Sequence, residues 1–245
     1  MDMKKIFLSV VLFAMGLLLH AQDIMVVNDK NAEVRTVSGS FHALKVSNAI
    51  DVIIKQGADE AVVVSASDEK YRNRIKTEVR DGVLRIWYDN DGLKWNWNTG
   101  DKKLRAYVSV KNLDIIDVSG ACDVKVDGRL KGVDLQMKLT GASSFKGEVI
   151  FSKMAVIQSG ASDATITGSV SDLSIESSGA SDFKGFDLVT ENCTADASGA
   201  SDIKITVNKT LNVNATGASD INYRGTAVIS SFRSSGASSV RKRGK

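Results

Sequence analysis

The chain has 245 residues, carries a formal net charge of +3 and is 43% hydrophobic, with 20 glycines and no proline. That apolar content excludes wholesale disorder, and so small a net charge gives no electrostatic reason for binding nucleic acid or a membrane surface. Frequent glycine without proline suits a chain that turns often while keeping its backbone hydrogen-bonded, which points to β structure.

At the N-terminus, Lys4 and Lys5 precede an apolar stretch from Ile6 to Leu19, followed by the small Ala21. This pattern predicts a signal peptide over residues 1–21, with the mature chain beginning near Gln22. The stretch falls short of the roughly 20 apolar residues a spanning helix needs, so no integral membrane segment is expected after cleavage. The predicted locations are the periplasm, the outer membrane or the extracellular space.

Residues 22–118 form a less regular, β-rich region that begins or caps a C-terminal coil, and residues 22–245 are expected to fold as one continuous unit. Alternating stretches predict strands at Ala61–Val64, Val83–Trp87 and Leu104–Val110. The segment from Asp68 to Val79 fits either a short helix or a strand with a polar loop. Ile86 to Gly100 gathers all three tryptophans, Trp87, Trp95 and Trp97. Exposed aromatic rings in a polar loop can stack on sugars or grip a surface, which makes these three the candidate ligand contacts. The structural alternative is a β-hairpin whose Trp95 and Trp97 cover the sheet beneath.

From residue 119 a five-residue phrase returns seven times, as SGACD, TGASS, SGASD, SGASD, SGASD, TGASD and SGASS. Its glycines are Gly120, Gly141, Gly160, Gly179, Gly199, Gly217 and Gly236, at spacings of 21, 19, 19, 20, 18 and 19. A period near 20 with strand-type filling means one solenoid coil per repeat. The leucine and asparagine ladder of leucine-rich repeats is missing, and an apolar spacing of two excludes helices. The fold class expected for residues 119–245 is therefore all-β, a right-handed parallel β-helix. VSNAIDVII at 46–54 is a degraded copy of the phrase, so coiling is expected to begin there.

Aligned on glycine, the repeats predict which side chains are buried. Four and six residues after each glycine stand pairs such as Val124 and Val126, Ile203 and Ile205, with Phe145 and Gly147 or Phe183 and Gly185 in other coils. A second inward strand precedes the next glycine, as in Leu135 and Met137 or Leu173 and Ile175. The invariant alanine after each glycine is read as an inside corner residue. Outside, Asp123, Asp163, Asp182, Asp202 and Asp220 form one ladder beside another of Lys125, Lys146, Lys184, Lys204 and Arg241, each offsetting the other's repulsion. Of the two cysteines, Cys122 falls in the serine column and is expected to face outward, and Cys193 inward as a small core residue; both are expected to be free thiols. The terminal Arg241, Lys242, Arg243 and Lys245 are read as a solvated or disordered end.

No catalytic constellation emerges. His42 is the single histidine after the signal peptide and belongs more readily to a strand than to a site, and abundant corner serines lack a histidine partner. One histidine and two distant cysteines argue against zinc. The paired glycines of calcium-binding nonapeptide rolls are absent, and lysines already balance the aspartates. Neither cofactor nor metal is expected.

The phrase SGASD, together with LKVSNAIDVIIKQG and KTEVRDGVLRI, resembles the head GIN domain family of auto-transporter adhesins, found mostly in Bacteroidetes. The resemblance spans roughly Phe41 to Val240. It implies a β-helical fold, export and an adhesive role at the cell surface, with no catalytic residues to carry over. The departures are Ser144 and Ser239 in the aspartate column and Cys122 in the serine column. The function expected is thus that of a non-enzymatic, exported cell-envelope protein that binds a surface protein or a glycan, with the tryptophan loop as contact. The alternatives are a polysaccharide-active enzyme on a β-helix scaffold and a structural component that self-associates through its coil ends.

Overall fold

The computed structural model describes residues 29–90 and 101–244. The predicted signal peptide, Trp95, Trp97 and Lys245 lie outside the described residues. The N-terminal region contains β1 (Glu33–Arg35), β2 (Ala43–Val46), β3 (Asp51–Gln56), β4 (Ala61–Ser65), a single helical turn α1 (Glu69–Arg72), β5 (Ile75–Arg80), β6 (Val83–Tyr88), β7 (Arg105–Val110) and β8 (Ile115–Val118). Five long strands come next: β9 (Asp123–Leu139), β10 (Ser144–Gln158), β11 (Asp163–Ser177), β12 (Asp182–Ala197) and β13 (Asp202–Ala215). Shorter β14 (Asp220–Arg224), β15 (Val228–Ser234) and β16 (Ser239–Lys242) complete the sheet.

Successive coils pair in parallel and in register, with Asp123, Ser144, Asp163, Asp182, Asp202, Asp220 and Ser239 stacked one above another. The chain is a parallel β-helix with about seven turns. Both predicted inward columns are buried through β9 to β14 apart from Gly147, and Val240 beyond them is half-buried. A third inward run, which alignment on glycine does not bring out, contributes Leu130, Val149, Leu188 and Val207. One buried cluster extends from Phe41 to Tyr223. Phe145 and Phe183 are each matched by a glycine two residues on, because a Cβ on Gly185 would lie 2.5 Å from the Phe183 ring. Coils with an isoleucine pair and coils with a phenylalanine and a glycine thus fill the same space.

At the repeated corner the structure corrects two expectations. The alanines are exposed, and the residue after each is buried: Ser143, Ser162, Ser181, Ser201 and Ser219 face the interior, and so does Cys122. The reason is a hydrogen bond that a serine can make and an alanine cannot. Ser181 Oγ donates to the Ser178 carbonyl at 2.9 Å, and Ser219 Oγ to the Thr216 carbonyl at 2.8 Å. Cys122 plays the same part, its thiol 3.3 Å from the Ser119 carbonyl while accepting from the Ile50 N–H at 3.5 Å. Both cysteines are free and buried. The alanine contributes its backbone, as when the Ala180 N–H donates to the Gly160 carbonyl at 2.7 Å. Each glycine has positive φ, and a methyl group on Gly160 would sit 2.6 Å from the Gly141 carbonyl oxygen, so both the torsion and the close approach require glycine.

The first copy of the motif does begin the coil, but out of order. β2 pairs with β8 on one side and β6 on the other, while β3 lies between β7 and β9. The rung built from residues 43–56 is thus inserted beneath a later one. Antiparallel β1, β4 and β5 then cover that end of the stack. The Asp68–Val79 segment holds both predicted structures, since Asp68 caps α1 by accepting from the Lys70 N–H at 2.9 Å before β5 begins. His42 sits at the bend before β2, more than half exposed, 3.4 Å from Asp114. Residues 241–244 are exposed, as a solvated end would be, yet β16 pairs with β14, and Arg243 hydrogen-bonds the backbone of Tyr223 and the side chain of Asn222.

Candidate functional site

The outer face of the strand before each glycine carries a concavity that runs across several rungs. In register along β9 to β13 stand Gln136, Ala155, Ser174, Thr194 and Asn212, all short or uncharged. Beside them runs a column of Asp134, Lys153, Asp172, Asn192 and Thr210. All of these but Thr210 line a shallow groove of about 470 Å³. On the other flank Glu176, Asp196 and Asn214 edge two further hollows of about 300 and 270 Å³ on the same face. The groove arises because outward positions alternate with the buried Leu135, Met154, Leu173, Cys193 and Leu211, so the core pattern fixes its direction. Asn192 is held by donating from Nδ2 to Asp172 at 2.8 Å. Hydroxyl or amide groups recur on every rung of the floor except that of Ala155, with rungs about 4.8 Å apart. Such a row can hydrogen-bond a long polar polymer laid along the axis. The signal was present in the sequence as polar residues between the inward pairs, but strand pattern alone does not distinguish a concave face from a flat one.

A second cavity of about 550 Å³ lies at the N-terminal end, lined by Asn48, Ala49, Tyr88, Asn90, Asp101, Lys102, Lys103, Leu104 and Ala121. Its lining residues flank the tryptophan segment in sequence on both sides. Tyr88 forms its floor, and Lys102 Nζ stands 4.7 Å from the Tyr88 ring centroid. Burial pushes the Tyr88 phenol above its ordinary range. Trp87 lies on β6 opposite Lys76, half-buried. The structure does not bring Trp87 into either cavity.

On the motif face, Lys184 links two rungs, 2.9 Å from Asp163 and 3.3 Å from Asp182, and Lys204 lies 2.6 Å from Asp202. The hydrogen bond that Lys184 donates to the Asp163 carboxylate raises the Lys184 pKa. At the start of the ladder Asp51 is raised, first by burial and then by Asp123. Among the described residues no group of three or more His, Cys, Asp or Glu side chains is placed to hold a metal ion. No described helix is long and apolar enough to cross a membrane.

This stacked corner, with its serine and glycine ladders, defines a β-solenoid. Residues 40–227 match the family described as putative auto-transporter adhesin, head GIN domain, and the chain belongs to that family. A putative adhesin from Bacteroides fragilis NCTC 9343 is 17% identical with a TM-score of 0.78, covering 88% of this chain and 98% of that one. A putative adhesin from Parabacteroides merdae ATCC 43184 is 15% identical with a TM-score of 0.60 over the same shares. A structure described as a putative lipid binding protein, from Parabacteroides distasonis ATCC 8503, is 16% identical with a TM-score of 0.58, again covering 88% and 98%. At these identities the likeness shows the fold alone. No curated protein matches the sequence.

Proposed function

We propose that this chain is an exported, non-enzymatic binding protein of the cell envelope, and that it holds an extended glycan along the groove of β9 to β13. The family supports an adhesin-like role, and the N-terminal sequence supports export. The observation that carries the glycan is the in-register floor of Gln136, Ala155, Ser174, Thr194 and Asn212. A sugar chain presents hydroxyls of both hydrogen-bonding senses at a spacing comparable with one rung, and amide and hydroxyl side chains can answer both. The flanks carry Asp134, Asp172, Glu176 and Asp196 against Lys153, so the best ligand is a neutral glycan rather than an acidic one.

The cavity beside Tyr88 and Lys102 favours a second reading, in which Trp95 and Trp97 stack on the sugar there. A glycan array with the full protein discriminates. Ser174→Tyr with Thr194→Tyr fills the groove and is expected to abolish binding, while Trp95→Ala with Trp97→Ala is expected to leave it intact. The reverse pattern assigns the ligand to the N-terminal cavity. Absence of any glycan bound over a broad panel overturns both.

A further inference from the structure

The two ends of the solenoid differ. At the N-terminal end the last parallel rung is covered by antiparallel β1, β4 and β5. At the other end, among the described residues, no strand pairs with the outer edge of β15 or of β16. The core column also ends uncovered. Phe232 stacks on Val213, yet it remains 57% exposed because no described strand pairs above it. Ile229 and Val240 continue two other inward columns and are only half-buried. Unpaired backbone N–H and C=O groups beside an exposed apolar ring form a template for a further strand.

Charge changes at the same place. Along the stack the aspartate ladder neutralises the lysine ladder, but Asp220 is the last carboxylate side chain in the sequence. Beyond it stand Arg224, Arg233, Arg241, Lys242, Arg243 and Lys245, with Ser239 where the aspartate column would continue. Among the described residues the outermost rung, β15 and β16, carries Arg233, Arg241 and Lys242 and no carboxylate side chain.

We infer that the open C-terminal edge, formed by β15 and β16, accepts an extended strand of another protein that alternates apolar and acidic side chains. The backbone edge selects a peptide over an anionic polymer or a lipid surface, since only a peptide completes the ladder. Phe232 and Val240 select its inward residues as apolar, and the arginines select its outward ones as acidic. A second copy of this chain fits worse. Two C-terminal edges meeting about a two-fold axis would oppose Arg241 and Lys242 to their own copies. The opposite end offers β1 and β5 with charges of both signs, Glu33 and Arg35, Lys76, Glu78 and Arg80.

The test is fluorescence anisotropy with a labelled nonapeptide of alternating glutamate and valine, titrated with the full protein. Binding is expected, and it should weaken as salt is raised. Arg233→Glu with Arg241→Glu should weaken it by about tenfold or more, these being exposed side chains whose exchange leaves thermal unfolding unchanged. A peptide with lysine for glutamate, and one N-methylated along its edge-facing amides, should both fail. Equal binding of the N-methylated peptide overturns strand addition. Equal binding of the lysine peptide overturns the acidic requirement. Binding to phosphatidylserine vesicles without binding to the peptide moves the edge to a lipid surface, and concentration-dependent sedimentation abolished by Phe232→Asp moves it to a second copy; either refutes the inference. Filling the groove with Ser174→Tyr and Thr194→Tyr leaves this binding unchanged, which separates it from the glycan reading.

Discussion

Replacing Gly160 by alanine tests whether the glycine ladder holds the coils together or merely turns the chain. Gly160 has φ of +85°, and a methyl group there would meet the Gly141 carbonyl oxygen at 2.6 Å and the Gly141 nitrogen at 3.1 Å. The torsion alone costs about 1 to 2 kcal/mol for an L side chain. The contact is with backbone, which cannot rotate away, so the rungs must part. Two hydrogen bonds cross at this point, from the Ala161 N–H to the Gly141 carbonyl at 2.8 Å and from the Ala180 N–H to the Gly160 carbonyl at 2.7 Å. Weakening both adds about 1 kcal/mol each, for a total of about 3 to 4 kcal/mol. Gly128 is the control, because its φ is +82° but nothing lies within 4 Å of its Cβ position. Gly128→Ala should therefore cost only the torsional part. In urea, followed by circular dichroism, the two midpoints should differ by about 1 M or more at unchanged slope. Hydrogen exchange at the Ala161 and Ala180 amides should accelerate in the first variant alone. Equal midpoints for the two variants would refute the argument, since torsion would then be the whole of the glycine requirement.

Three further outcomes rest on the same geometry. Phe183→Ile should leave a void and Gly185→Ile should clash with the Phe183 ring, each costing on the order of 1 to 3 kcal/mol, whereas the double variant reproduces the Ile203 and Ile205 arrangement and recovers most of the loss; a double-mutant cycle showing simple additivity would count against complementary packing. Ser181→Ala should lower stability by about 1 kcal/mol through the lost bond to the Ser178 carbonyl, with Ser181→Cys lying between, as the role of Cys122 indicates, and thermal unfolding reads both. Burial pushes the Cys193 thiol up to about 12 from 9.0. Its folded pKa lies above the unfolded one, so its contribution is intact below about pH 9 and is lost as pH rises towards 12. Cys193→Ala should flatten stability over that window, and the native thiol should stay silent to a thiol reagent at about pH 8.

The columns of the coil are legible in the sequence because solenoid register repeats one constraint seven times. Val124, Phe145, Ala164, Phe183, Ile203 and Ile221 differ in size yet share a position, and only a common interior explains that. The corner misleads for a physical reason. Alanine is apolar and serine polar, so pattern assigns burial to Ala161 rather than Ser162; the buried hydroxyl, however, satisfies a carbonyl that the turn leaves free within hydrogen-bond reach, and sequence carries no sign of that bond. The expected outward direction of Cys122 fails with the same inference. The groove is not legible because concavity depends on how each rung bends between its strands, whereas the pattern of outward Gln136, Ser174 and Thr194 would be the same on a flat sheet.

The order of the rungs bears on how the molecule is assembled. β8 pairs with β2 rather than with the rung that immediately precedes it in sequence, so the rung of β2 and β3 lies between that of β6 and β7 and that of β8 and β9. The later rung of β6 and β7 closes over their outer side and presents a partly antiparallel, charged surface in place of an open ladder. The repeats from Gly120 onward stack on one another without change of register at the corner. A stack closed on one side and open on the other has a direction. Its ladder of backbone groups, its exposed Phe232 and its unbalanced arginines all point the same way, towards a partner that arrives as a strand.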